Sequence, residues 1–150
     1  MTTLKDIVIS RTEHLGLSYK QLMILASIIE LEGASFEDKR KVSAVFHNRL
    51  KNNMKLQSCA TINYIRKKHG VKHKLNLNTS DTLIESYYNT YKYHGLPPGQ
   101  ICKPKIYSVY AALFPYENER ILFFRANKSR TKNIFSENLE DHLKIGRSNK

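Results

Sequence analysis

The sequence predicts an α+β domain, mostly helical, with one small antiparallel hairpin. Two observations carry that prediction: apolar residues recur at helical spacing through the first half, and two short β-type runs flank a turn-forming stretch near the end. Helices first and strands later is the order of an α+β chain, not of alternating βαβ units. No repeat, low-complexity tract or Pro/Gly/Ser linker divides the 150 residues, so they read as one domain.

The elements follow in order. Residues 1–17 read as an amphipathic lead-in. Ser18 is placed to cap a helix that runs through Ile24, Ile28 and Ile29 to about Glu32, where Gly33 ends it. Ser35 and Asp38 open a second helix in the manner of a capping box, and Val42, Val45, Phe46, Arg49 and Leu50 continue it at helical spacing to Asn52-Asn53. A third helix is expected from about Cys59 to His69, closed by Gly70. Residues 71–105 mix Asn, Thr, Pro and Gly with four tyrosines, and Gly95-Leu96-Pro97-Pro98-Gly99 fits neither helix nor central strand. A loop of this length within a compact domain is usually functional. Ile106 to Phe114 reads as a helix stopped by Pro115. Arg120 to Arg125 is a strand, Asn127 to Lys132 a turn and Asn133 to Phe135 its partner, after which Ser136 is expected to cap a last helix through Leu139 and Leu143.

Charge is the unusual feature of the composition. Twenty-five Lys and Arg against 13 Asp and Glu give +12, with a pI near 9.7. Such a surface attracts polyanions, whether nucleic acid, anionic lipid or an acidic wall polymer. The longest apolar run, Leu22 to Ile29, is far short of the ~20 residues that a bilayer span needs, and the first six residues lack the order of a secretory signal. Cys59 and Cys102 are too few for a disulfide scaffold and lack zinc-ligand spacing. They read as two unpaired thiols, a single bridge being the alternative. The six histidines form no H-E-x-x-H pair, and no nucleophile-elbow, Walker or dinucleotide motif is present.

The helix ending near Glu32 is apolar nearly all round, so it is expected in the interior. Glu30 and Glu32 lie at its end. At i and i+2 they project about 200° apart, so a single site can hardly use both. A glutamate desolvated there, beside the negative end of the helix dipole, would have its pKa raised towards that of a general acid. Spacing alone does not choose between the two, and a surface glutamate at a fraying helix end is the bland alternative. Arg66-Lys67-Lys68-His69 with Lys72, His73 and Lys74 forms a basic cluster that is as consistent with a solvated turn as with a polyanion site.

Ala26-Ser27-Ile28-Ile29-Glu30-Leu31-Glu32 resembles the A-S-I-V-E-K-E helix of the endolytic murein transglycosylases, the MltG or YceG-like family. In the same order follow Val42, Val45-Phe46, Asn48-Arg49-Leu50 and Met54 to Ser58, with Thr61 and Tyr64 matching T-V-x-Y. Tyr88-Asn89-Thr90-Tyr91, then Gly95 to Gly99 and Ile101, resemble the Y-N-T-Y…G-L-P-P-G-x-I signature, and Leu122 to Phe124, Phe135-Ser136, Leu139 and His142 resemble the closing strand and helix. Two departures stand out: Cys59-Ala60 replaces the usual Asp-Pro, and Lys103 replaces Asn before Pro104.

The resemblance implies a lysozyme-like transglycosylase domain, with a lead-in over residues 1–21 and a core over 22–145. It implies a lytic transglycosylase that cleaves the β-1,4 bond between N-acetylmuramic acid and N-acetylglucosamine and leaves 1,6-anhydro ends. Glu30 would then be the acid and afterwards the base. Gln57, Thr61, Tyr64, Asn89, Thr90 and Tyr91 would bind substrate, Asn48 and Arg49 would brace the helix pair, and no cofactor or metal would be needed. Peptidoglycan strands are the implied substrate, with a peptidoglycan synthase as a candidate partner and no specific nucleic acid. The family's transmembrane helix and LysM-like domain have no counterpart in this sequence, so membrane attachment would come only through an absent segment. The setting implied is the outer face of the bacterial inner membrane, and an excised or phage-borne soluble form is the alternative. The competing readings are an inactive glycan-binding domain of the same fold and a basic nucleic-acid-binding module.

Overall fold

A computed structural model describes residues 1–148. In chain order these form α1 (Leu4–Leu15), α2 (Tyr19–Glu32), α3 (Phe36–Lys51), α4 (Cys59–Lys68), a 3-10 turn (Asp81–Leu83), α5 (Ile106–Leu113), β1 (Phe123–Ala126), β2 (Asn133–Ser136) and α6 (Leu139–Ser148). The architecture is helical with one two-stranded antiparallel sheet, in the α+β order that the sequence predicts.

The centre is α2. Leu22, Leu25, Ala26, Ile28 and Ile29 are wholly buried, each large side chain contributing about 1.5–3 kcal/mol by leaving water. It packs against α5, α3, α4 and α1. Its N-terminus is fixed by a reciprocal capping box between Ser18 and Gln21. Gly33 ends it in extended conformation, and the reason for glycine there is space: a Cβ would meet the backbone Cα of Lys39 at 2.8 Å. The lead-in becomes α1, capped by its own Thr3–Asp6 box, with Val8 and Leu15 against the core.

The short helix α5 has no side-chain cap of its own. Its ends are served by other elements. Glu30 Oε1 accepts from the Lys105 N–H (2.7 Å) and the Ser108 hydroxyl (3.1 Å) at the N-terminus. Arg11 and Arg40 donate to the Leu113 and Phe114 carbonyls at the other end, and His47 Nε2 lies 2.9 Å from the Ala112 carbonyl. Anion at the start and cations at the end both complement the helix dipole.

The 71–105 segment is irregular apart from the 3-10 turn, and it is ordered by polar ties. Asp81 accepts from the Asn78 N–H and pairs with Arg66 and Lys74. Asn89 Nδ2 donates to the Thr82 and Ile84 carbonyls. Past the Gly-Leu-Pro-Pro-Gly stretch, the Ile101 N–H docks on the Ser27 hydroxyl of α2 at 3.1 Å.

Two expectations are corrected near the C-terminus. The first strand starts at Phe123, not Arg120, because the Asn118, Ile121 and Leu122 carbonyls bond to the Asn48 and Arg49 side chains of α3. Ser136 ends β2 opposite Phe123 and caps nothing; Asn138 caps α6 by accepting from the Asp141 N–H at 2.9 Å.

Candidate functional site

An open groove of about 1330 Å³ runs between two walls. One is the loop after α4, from His73 to Thr79; the other is the β1–β2 hairpin, with Leu139, His142 and Leu143 of α6. Glu32, Gln57, Cys59, Ala60 and Tyr91 also line it. Six of the described lining residues are Lys or Arg, and Glu32 is the single carboxylate among them.

Glu32 is the last residue of α2. Its Oε1 accepts from the Ala60 N–H (2.9 Å) and the Ser58 hydroxyl (3.4 Å), so the carboxyl sits against the N-terminus of α4. Its own carbonyl is held by Asn133 Nδ2 of the hairpin, and Asn133 is in turn fixed by Asp38 of α3. Three elements therefore set its position. Burial pushes the carboxyl up to about 7, against the lowering effect of the Ala60 and Ser58 hydrogen bonds. Among the described residues no cation pairs with it.

Glu30, the acid that the resemblance implies, is not among the lining residues. It faces the other way, into the start of α5, and Lys39 Nζ lies 3.3 Å from its Oε2. Burial raises its pKa, but the Lys105 N–H, the Lys39 charge and the Ser108 hydroxyl outweigh that, and the carboxyl is held below its ordinary value.

Of the six residues expected to bind substrate, Gln57, Tyr64 and Tyr91 line the groove. Gln57 sits in the left-handed region (φ 50°), with its N–H on the Thr90 carbonyl and its Oε1 3.4 Å from Arg49 Nη1. Its amide nitrogen has no hydrogen bond among the described residues. Tyr64 and Tyr88 rings meet at 4.9 Å. Tyr91 Oη lies 3.2 Å from Cys59 Sγ, and burial pushes its phenol far up.

Thr61, Asn89 and Thr90 lie behind the groove surface, at 0%, 0% and 1% exposure. Their polar atoms are engaged within the protein. Thr90 Oγ1 accepts from the Ser58 N–H and lies 2.8 Å from the Thr61 hydroxyl, which also reaches the Ser58 carbonyl. Asn89 Oδ1 accepts from the Tyr91 N–H. Thr61 and Thr90 sew the Tyr-Asn-Thr-Tyr segment to the start of α4, and Asn89 fixes the Tyr91 backbone within its own loop.

Several groove residues have no counterpart in the sequence-level site. Cys59 and Cys102 are both free and both line the groove. Arg49, expected to brace the helix pair, instead ties α3 to the start of the hairpin and to the loop before α4 through the Leu122 and Lys55 carbonyls, and it also lines the groove and donates to Gln57 Oε1. His142 stacks on Phe123 at 5.1 Å, and burial followed by the charges of Arg125 and Arg49 lowers its pKa. Arg130 reaches the groove from the hairpin turn. Tertiary proximity makes these sites, and only the basic composition hinted at the arginines. Among the described residues no cluster of three or more His, Cys, Asp or Glu could hold a metal ion, and no helix is long and apolar enough to cross a membrane.

Comparison with known proteins gives a consistent picture. The model of the YceG-like family matches residues 2–148. An endolytic murein transglycosylase of Bacillus subtilis is 38% identical over 127 residues, covering 85% of this chain and 34% of that protein. One of Streptococcus pneumoniae is 35% identical over 128 residues, covering 85% of this chain and 23% of that protein. The chain thus spans 23% to 34% of the length of these curated relatives. A crystal structure of a yceG-like protein of Listeria monocytogenes superimposes with a TM-score of 0.77 at 35% identity, covering 91% of this chain and 42% of that one.

Proposed function

The chain belongs to the YceG-like family, and on that premise we propose that it is a peptidoglycan lytic transglycosylase whose acid and base is Glu32. The observation that carries the reading is the lone carboxylate. A glycosidase that activates water uses two carboxyl groups flanking the scissile bond. The groove offers one among its described lining residues, and that one has a pKa near neutrality.

One carboxyl suffices when the nucleophile is supplied by the substrate. Glu32 in its acid form donates its proton to the glycosidic oxygen as the bond from C1 of the muramoyl residue breaks. The resulting carboxylate then takes the proton of the same sugar's C6 hydroxyl as that oxygen closes on C1, giving a 1,6-anhydro end and returning Glu32 to its acid form. The intramolecular hydroxyl replaces water through its high effective concentration. A pKa near 7 keeps both forms accessible at neutral pH.

Gln57, Tyr64 and Tyr91 are the side chains we assign to substrate. Amide and phenol groups can hold N-acetyl and hydroxyl substituents, and the rings can pack on pyranose faces. Thr61, Asn89 and Thr90 act behind them as positioning residues, and Glu30 as the cap of α5. A helical cradle with its acid at the end of a buried helix is in keeping with a lysozyme-like domain. The bacterial cell envelope is the setting that such a substrate requires, and the basic groove suits its carboxylate-bearing strands. A synthase partner remains an expectation of the family resemblance.

Mass spectrometry of purified peptidoglycan, after incubation with the protein, with Glu32→Gln and with Glu30→Gln, tests the reading. Anhydromuramoyl ends are expected from the first and third and not from the second. Ends lost with Glu30→Gln and kept with Glu32→Gln would instead assign the acid to Glu30. Reducing ends from the wild type would mean attack by water.

A further inference from the structure

The hairpin turn holds a feature that the proposed reaction does not use. Asn127 organises it: its Oδ1 accepts from the Thr131 N–H, and its backbone pairs with Arg130 and Lys132. Within that turn Arg130 takes the left-handed conformation (φ 57°), a position where glycine or asparagine is the usual choice. The strained backbone turns a long cationic side chain across to the opposite wall of the groove, where Arg130 Nη2 donates to Asn76 Oδ1 at 3.1 Å. The charge is felt as far as the Cys59 thiol, which adjoins Glu32 at the start of α4.

Two of the other groove cations are already committed. Arg49 is buried and spent on backbone carbonyls, and Lys74 is paired with Asp81 at 2.7 Å. Arg130, by contrast, is exposed and meets a neutral amide oxygen, a weak partner for a guanidinium. A carboxylate accepts two parallel, charge-assisted bonds from the same fork and would displace the amide.

We propose that Arg130 is a specificity-determining residue of the groove, exchanging Asn76 for a carboxylate carried by the glycan strand. This rests on the transglycosylase reading and deepens it: Arg130 selects a carboxylate-substituted glycan over a neutral one of the same backbone. Two sources of carboxylate exist on such a strand, the attached peptide or, where the peptide has been removed, the lactyl ether.

Binding, read separately from turnover, tests the assignment. Fluorescently labelled peptide-bearing strands, strands stripped of peptide and N-acetylchitohexaose are titrated into Glu32→Gln and into the same variant carrying Arg130→Asn, Arg130→Lys or Asn76→Ala. Asparagine tolerates the left-handed turn, so Arg130→Asn removes the charge with the hairpin retained. Its expected effect is ~10-fold or more weaker binding of peptide-bearing strands, with chitohexaose changed less than about twofold. Arg130→Lys falls between, and Asn76→Ala binds no more weakly than its parent. A parallel loss on stripped strands identifies the lactyl carboxylate as ligand, and no loss there identifies the peptide. Equal losses on charged and neutral glycans, no loss on either, or a loss with Asn76→Ala that matches Arg130→Asn would each overturn the proposal. Absence of anhydro ends from the wild type would sink the transglycosylase reading, and this binding comparison would still return its own answer.

Discussion

Glu30 and Glu32 are separated by one residue on the same helix, and both place a carboxylate oxygen against the start of another helix. Their electrostatics are nevertheless opposite. Glu30 meets α5 with a lysine beside it and is held in its charged form. Glu32 meets α4 half-buried in the groove with no cation paired to it among the described residues, and desolvation retains its proton to about pH 7. Helix dipole and hydrogen bonds are common to both, so the Lys39 ion pair on one side and the unbalanced desolvation of the carboxyl on the other decide. The lesson is that chemical role follows the environment of each oxygen and not its residue type or helix position.

The sharpest way to break that comparison is to neutralise each glutamate in turn. Glu32→Gln removes the only proton donor we assign and should lower the rate of anhydro-end formation by roughly 10²–10⁴-fold. Glu30→Gln should leave the rate within about tenfold of wild type, since it touches the groove only through α2. Its effect falls on stability: with the Lys39 pair and a charged cap lost, unfolding in urea should show a cost of about 1–3 kcal/mol. Matching kinetic losses in the two variants would erase the distinction.

Thermal stability as a function of pH sharpens it further, because the two groups carry opposite signs. Glu32 binds its proton more tightly folded than unfolded, so stability falls as pH rises from about 4.5 to about 7. At about 1.36 kcal/mol per unit, this cost is on the order of 3–4 kcal/mol at most. Glu30, with its folded pKa depressed, contributes stability that is present above 4.5 and lost as pH falls through the folded value. Relative to wild type, Glu32→Gln should therefore gain stability between pH 4.5 and 7. Glu30→Gln should be the less stable protein at neutrality and converge with wild type in acid. Parallel curves for the two variants would contradict the assignment.

Much of this frame is legible in the sequence. Ser18, Gly33, Ser35, Gly70 and Pro115 mark helix ends through capping and backbone chemistry that acts over a few residues, and the structure follows them. What local chemistry cannot show is where a side chain is spent. Asn89 and Thr90 have the right types for sugar contacts, yet Asn89 is consumed in folding its own loop and Thr90 in joining that loop to the start of α4 across some thirty residues of sequence. Likewise the strand boundary moves because Arg49, about seventy residues upstream, takes the Leu122 carbonyl. The choice between Glu30 and Glu32 turns on Lys39, Lys105 and Ser108, three positions that no spacing rule connects to α2.

The smallest expected effect concerns Cys59, which stands where the resembling family usually has Asp. Its thiol is raised by burial and by Glu32, so it is uncharged at neutral pH and adds no field to the acid beside it. Cys59→Asp would introduce a like charge beside Glu32, partly offset because a carboxylate in the first turn of α4 complements the helix dipole. The net effect on Glu32 is a further rise in pKa. The alkaline limb of the pH profile for kcat/KM should then move upward, raising the rate above that limb by up to ~10-fold, with little change near pH 6. Anhydro ends should remain the product, since the C6 hydroxyl keeps its advantage over water even when a second carboxylate is at hand. A limb that moved downward would show that Glu32 is not the group titrating, and would return Glu30 to consideration.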